Sequence, residues 1–155
     1  MSTKHSANLL ALEAFIKKNN FCKIDSIVEL GARDCMDSLS MSSLFPDAQI
    51  NSYECNPNTI EICKDNIKNT TKIKLHEYAV SDNIGEIEFY PIDQEKTETT
   101  WPDGNPGASS LFLATNKHNI EHYVQTQTLV KSTTIENEFN KYNWNNIDLL
   151  WMDIQ

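Results

Sequence analysis

Apolar positions change period along this chain, and each change marks an element. Leu9, Leu10, Leu12, Phe15 and Ile16 recur at near-helical spacing, which predicts a first helix with Ser6 as its cap and Asn19-Asn20 as its stop. Ile24 to Leu30 is a short apolar run ending at Gly31, the length of a buried strand. Residues 36–44 predict a helix stopped by Pro46, and 49–54 a second strand. Asn56 followed by Pro57 is a cap before a favoured first helical residue, opening a helix to about Lys68. A third strand is expected over 73–80. Alternation of helix and strand predicts βαβ units around a mostly parallel sheet.

The pattern then shifts. Ser81 to Gly85 is turn-rich, and Glu86 to Tyr90 alternates as a strand. Residues 91–110 hold Pro91, Pro102, Pro106, Gly104 and Gly107; they read as a long surface loop, expected to form a mobile lid or to set substrate specificity. Val124, Thr126, Thr128 and Val130 alternate with polar residues as in a half-solvated strand, and Thr134 to Tyr142 reads as a helix. Ile147 to Ile154 is nearly continuous apolar sequence, the signature of a buried parallel strand. The expected organisation is a single domain over 1–155: an N-terminal helix within 1–25, a cofactor-binding βαβ core over 26–90, and the surface loop 91–110.

Composition narrows the function classes. Lys and Arg number 13 against 22 Asp and Glu, a net charge of −9. An acidic chain with no basic run is unsuited to a nucleic-acid backbone. No stretch approaches the roughly 20 apolar residues of a membrane span. The N-terminus lacks the apolar core of a signal peptide. The four cysteines, at 22, 35, 55 and 63, form no C-x-x-C pair, so a cytoplasmic protein with reduced thiols is expected. His118 and His122 stand four apart without a third ligand, and no metal centre is expected.

Three acids fall at the carboxyl ends of expected strands: Glu29, Glu54 and Asp153. Ligands of open parallel sheets sit at those ends. Gly31 allows a tight turn and a close approach of the backbone. Glu54 suits a carboxylate that accepts both hydroxyls of a ribose. A dinucleotide would need G-x-G-x-x-G against its pyrophosphate; the second and third glycines are missing, and Asp34 puts negative charge where a phosphate would sit. Glu29, Asp34 and Asp153 instead suit a cationic ligand such as S-adenosylmethionine, with its sulfonium and ammonium. Two other readings stay open: a non-catalytic cofactor-binding fragment or interaction module, and, with a poorer match to the glycines, an NAD-dependent oxidoreductase.

The run from Glu29 to Ser38 (Glu-Leu-Gly-Ala-Arg-Asp-Cys-Met-Asp-Ser), then Tyr53-Glu54-Cys55-Asn56-Pro57, Ala79-Val80-Ser81-Asp82 with Gly85, and Asp148 to Gln155 resemble, in this order, the FkbM family of methyltransferases. The resemblance implies an α/β, Rossmann-like class I fold with helices on both faces of the sheet. It implies S-adenosyl-L-methionine as cofactor and O-methylation of a small-molecule or sugar hydroxyl. It implies that the turn of Glu29, Gly31, Ala32 and Asp34 holds the methionine end, that Glu54 holds the ribose, and that Val80, Ser81 and Asp82 lie at the adenine. Asp153 would sit near the methyl group, the single candidate catalytic residue. Cys35 stands where the family has glycine. The family's last motif continues into Gly-x-Glu after the position of Gln155, followed by further strands and helices. The chain is therefore expected to hold the first part of a catalytic domain, to bind cofactor without full turnover, and to self-associate through the open edge of the 147–154 strand.

Overall fold

The structure, a computed structural model, describes residues 7–19 and 23–154. Ser6, Asn20, Cys22 and Gln155, which carry parts of the expectations above, lie outside the described residues. In chain order the elements are α1 (Ala7–Lys18), β1 (Ser26–Leu30), α2 (Met36–Leu44), β2 (Gln49–Tyr53), α3 (Ile60–Ile67), β3 (Ile73–His76), β4 (Ala79–Val80), β5 (Gly85–Phe89), β6 (Thr128–Thr133), α4 (Ile135–Lys141) and β7 (Leu149–Met152).

Two sheets form. The larger has the order β3-β2-β1-β7, all parallel. The smaller has the order β4-β6-β5, with β4 parallel and β5 antiparallel to β6. Period-two alternation sorts β1 between two faces. Ile27 joins a core with Leu9 of α1, Met41 of α2, Cys63 and Ile67 of α3, and Ile50 and Ile73. Val28 and Leu30 join Tyr53 on the opposite face, against Ile135 of α4 and Trp144. Helices thus cover both faces of the parallel sheet, and all of Ile27–Leu30 is buried. The parallel sheet of βαβ units expected from the alternation, and the α/β, Rossmann-like class I fold implied by the resemblance, are the architecture found.

The α4 face also carries a buried polar network. The Tyr53 hydroxyl donates to Glu138 Oε2 at 2.8 Å, and the Thr133 hydroxyl to Glu138 Oε1 at 3.0 Å. His76 stacks on Tyr53 with ring centroids 4.4 Å apart. Burial, helped by the Lys74 charge, lowers the His76 pKa to about 4. The network ties β2 to α4 and the end of β6.

Several elements depart from expectation. The strand expected over 73–80 breaks at Glu77-Tyr78: β3 stays in the large sheet and β4 crosses to the small one. The helix expected to open at Asn56-Pro57 starts at Ile60, because Asn56 builds a turn first. Its Oδ1 accepts the Asn58 N–H at 3.0 Å, and its carbonyl accepts the N–H groups of Thr59 and Ile60. The alternation around Val124 is displaced into β6. Val124 instead accepts the Asp93 N–H with its carbonyl, and Gln125 bridges Ile92. These pairings, with Glu98–His122 and Tyr90–Ser110, tie down the 91–110 loop. Ile92 is fully buried. The loop is an anchored wall of the molecule, where sequence alone suggests a free lid.

β7 is an edge strand among the described residues, paired with β1 alone. Leu150, Met152 and Ile154 are exposed. No helix among the described residues is long and apolar enough to cross a membrane. Cys35, Cys55 and Cys63 are free thiols.

Candidate functional site

A cleft of about 900 Å³, its open mouth included, lies at the carboxyl ends of β1, β2 and β7. Leu30 and Gly31 form its floor with Tyr53 and Glu54; Tyr78, Ala79 and Val80 come from the crossing between sheets; Asp153 and Ile154 come from the end of β7. Pro106, Gly107, Ser109 and Leu111 close it from the anchored loop.

The turn after β1 is unusually constrained. Gly31 has φ +81°, and a Cβ there would lie 2.1 Å from the Asp153 carbonyl oxygen. The turn packs so closely on β7 that only glycine fits. Arg33 and Cys35 also take positive φ, 52° and 59°. The glycine that the FkbM pattern has at 35 is thus explained: the position demands a left-handed backbone, and Cys35 adopts it while fully buried.

The backbone donors of this turn are already used. Gly31 and Ala32 N–H both donate to the Tyr53 carbonyl at 3.0 Å, and Arg33 N–H donates to Glu54 Oε2 at 2.6 Å. A phosphate-binding turn needs such groups free and aimed at the ligand. With them consumed and two acids lining the cleft, the turn is unsuited to a pyrophosphate, which counts against the dinucleotide reading.

Glu54 is nearly buried. Its Oε1 accepts the Asn56 N–H at 2.6 Å while Oε2 holds Arg33. Burial pushes its pKa up, and these backbone donors pull it back. Hydrogen bonds from the Cys55 N–H and the Thr59 hydroxyl lower its pKa as well, so the carboxylate is fixed at the cleft wall by its own segment and by Arg33. Asn56 Nδ2 donates to Ser109 Oγ at 3.0 Å, and Ser109 Oγ also accepts the Ile92 N–H at 3.0 Å and donates to the Pro106 carbonyl. Ser109 therefore locks the loop to the segment after β2.

The structure gathers Gly31, Glu54, Val80 and Asp153 around the cleft and leaves the other candidates outside its lining. Glu29 faces α2 and accepts a hydrogen bond from the Ser38 hydroxyl; it is 1% exposed. Ala32 sits in the core. Asp34 Oδ1 accepts the Met36 N–H at 3.1 Å at the start of α2, a capping contact. Ser81 N–H bonds the Thr133 carbonyl, and Asp82 is exposed beside Asn83. Trp101, His118 and His122 also line no part of it. No cluster of metal-ligating groups occurs among the described residues. Sequence reasoning missed Arg33, Asn56 and Ser109. A lone cation inside an acidic turn was the available signal for Arg33; Ser109 had none, since its role depends on a long-range contact. Asp37, half-buried beside the charges of Asp34 and Asp153, was also missed; burial raises its pKa first, and those two acids add to the shift.

Comparison with known proteins bears on this site. The profile of the methyltransferase FkbM domain matches residues 30–155. Over 133 residues the chain is 25% identical to 2-O-methyltransferase NoeI of Sinorhizobium fredii (strain NBRC 101917 / NGR234), covering 83% of this chain and 52% of that protein. The chain spans about half the length of this curated relative. Among solved structures, precorrin-6y C5,15-methyltransferase of Geobacter metallireducens GS-15 aligns at 22% identity over 49% of this chain and 44% of that one, with a TM-score of 0.35. The S-adenosylmethionine-dependent methyltransferase SibL aligns at 12% identity over 63% of this chain and 30% of that one, with a TM-score of 0.39. The FkbM profile begins at the last residue of β1 and runs through every element that lines the cleft, and on that match the chain belongs to the methyltransferase FkbM domain family.

Proposed function

We propose that this chain is the cofactor-binding part of an S-adenosylmethionine-dependent O-methyltransferase acting on a small-molecule or sugar hydroxyl. The observation that carries the reading is the cleft itself: an acid at the end of β2 held in place by backbone donors, a second acid at the end of β7, and a first turn with its N–H groups consumed. These features fit a ligand with a ribose and positive charge and no phosphate. The similarity to NoeI, a 2-O-methyltransferase, supports oxygen as the accepting atom.

Bound in this cleft, the cofactor supplies a methyl group activated on a sulfonium. Glu54 would hold the ribose hydroxyls, and its hydrogen bonds from Arg33 and Asn56 fix its orientation beforehand. Val80, Tyr78 and Leu111 offer an apolar surface for the base. Asp153 adds negative charge near the cationic end. The chain's contribution is chiefly to hold the two reactants in line, a large part of the barrier in such displacements. With its pKa lowered to about 4, His76 is neutral at pH 7, and it lies outside the cleft lining.

Calorimetric titration with S-adenosylhomocysteine tests the reading. The wild-type chain is expected to bind, and Glu54→Ala to bind about 10- to 100-fold more weakly, the value of hydrogen bonds to a charged group. Glu54→Gln, which keeps the shape, should fall between the two. Unchanged affinity in both variants removes Glu54 from the site. Because burial raises the Glu54 pKa, wild-type affinity should begin to fall at a higher pH than for an ordinary glutamate as solutions are acidified.

The exposed apolar side chains on the free edge of β7 support a second copy of the chain as partner. Light scattering on the isolated 155-residue chain should show a mass that rises with concentration, and Leu150→Lys should suppress the rise. A constant monomer mass sinks this part of the proposal.

A further inference from the structure

The cleft holds one positive group. Of its charged lining residues, Glu54 and Asp153 are acids and Arg33 is the cation. Asp34 and Asp37 add negative charge close to Asp153. An anionic ligand group entering this field would be repelled everywhere except beside Arg33. The residue is held in place on several sides. Its N–H is bound by Glu54, its carbonyl accepts the Cys63 thiol at 3.0 Å, and its backbone sits at φ +52°. Its side chain runs beside Gly107, with Cδ and Nη1 each 3.7 Å from where a Cβ on that glycine would lie. Nη2 donates to Asp103 Oδ2 at 2.6 Å. Among the described residues that is the side chain's one hydrogen-bond partner, and a guanidinium carries five donors. An arginine that lines a cleft and is tethered at one nitrogen keeps donors free for a carboxylate.

We infer that Arg33 is the carboxylate-binding residue of the cleft, taking the α-carboxylate at the amino-acid end of the ligand, with Asp103 as the positioning residue that aims its guanidinium. The inference rests on the reading of the cleft as an S-adenosylmethionine site, and it assigns a polarity within it: carboxylate toward Arg33 and the anchored loop, cationic groups toward Asp153. It also explains why the loop touches the first turn at all. Asp103, holding one guanidinium nitrogen, orients the side chain at the rim of the cleft.

Two ligands separate this role from a purely structural one. S-adenosylhomocysteine carries the carboxylate; 5′-methylthioadenosine keeps the nucleoside and thioether but lacks the amino-acid end. Calorimetric titration of the wild-type chain, Arg33→Gln and Arg33→Lys with both ligands is the experiment, with thermal melts of each ligand-free variant. Arg33→Gln should weaken S-adenosylhomocysteine about tenfold, the low end for a charge-assisted contact at a half-exposed site, and change 5′-methylthioadenosine by less than about twofold. Arg33→Lys should recover part of the loss, since it keeps the charge without the planar fork. Asp103→Asn should weaken S-adenosylhomocysteine less than Arg33→Gln does. If Arg33→Gln weakens both ligands alike, the residue acts only through the fold and the assignment is wrong. It is equally wrong if neither ligand is affected. Failure of the wild-type chain to bind either ligand would overturn the functional reading itself, and this assignment with it. Binding of both with no Arg33 dependence would overturn this assignment alone.

Discussion

Gly31→Ala is expected to destabilise the fold by about 3 kcal/mol or more and to abolish cofactor binding. The position combines two constraints. Its φ of +81° lies in the left-handed region, where a side chain costs on the order of 1–3 kcal/mol. The added Cβ would also stand 2.1 Å from the Asp153 carbonyl oxygen and 3.0 Å from its carbon. The obstructing atoms are backbone, with no flexible side chain to swing aside, so relief requires β7 to separate from the turn. That movement breaks the hydrogen bond from Asp153 N–H to the Leu30 carbonyl and drags Asp153 away from the cleft. Substitutions above about 4 kcal/mol are exceptional and come from a short set of mechanisms, of which backbone strain is one. Gly107→Ala is the control. It lines the same cleft, but its added Cβ would meet the Arg33 side chain at an ordinary 3.7 Å, and a cost within about 0.5 kcal/mol is expected. Denaturant melts of both variants decide the point. Equal stabilities would mean that the close approach of Gly31 to β7 does not occur in solution.

The same turn shows how far sequence carries a reading of this kind. The large sheet was legible because its strands are short apolar runs set off by breakers: Ile24–Leu30 before Gly31, Ile147–Ile154 after Asn145-Asn146. α2 is found at the expected bounds, 36–44, with Phe45 and Pro46 ending it. The small sheet was less legible. β4 is two residues long, and its partner β6 lies some 50 residues on, so nothing local distinguishes Ala79-Val80 from a continuation of β3. The Thr126, Thr128, Val130 alternation fits more than one register, and long-range pairing with β5 selects one.

Within the site, proximity to a strand's carboxyl end places Gly31, Glu54 and Asp153 on the cleft lining. It does not place Glu29 there, because successive strand residues point to opposite faces. Leu30 borders the cleft, and Glu29, one position earlier, faces α2. Asp34 also lies outside the lining: a short acid just before a helix has a backbone donor within reach, here Met36 N–H, and bonds it locally. Arg33, Asn56 and Ser109 could be recognised only when the loop came home to the first turn.

Buried Glu29 gives the second large expectation, a stability that falls as pH rises. Its carboxyl is fully enclosed on the α2 side of the sheet. Burial drives its pKa from 4.5 to about 7; the Ser38 and Ser52 hydroxyls oppose the shift, and the charges of Asp37 and Asp34 add to it. The unfolded chain releases this proton near pH 4.5, and the folded chain keeps it until about pH 7. Between those values the folded state binds the extra proton, so its advantage is fully present below pH 4.5 and is lost as pH climbs to 7. The loss from this one group is on the order of 3 kcal/mol. Glu29→Gln keeps the size and a hydrogen-bond acceptor for Ser38 but has no proton to lose. Near pH 4.5 the variant should match the wild type to within about 1 kcal/mol. By pH 8 it should be the more stable by a few kcal/mol. Urea melts of both proteins at half-unit steps from pH 4.5 to 8 measure the difference directly, and other titrating groups cancel in it. A difference that stays flat across the range would show that Glu29 ionises as an ordinary surface carboxyl, and that water reaches it where the packing of β1 against α2 leaves no room.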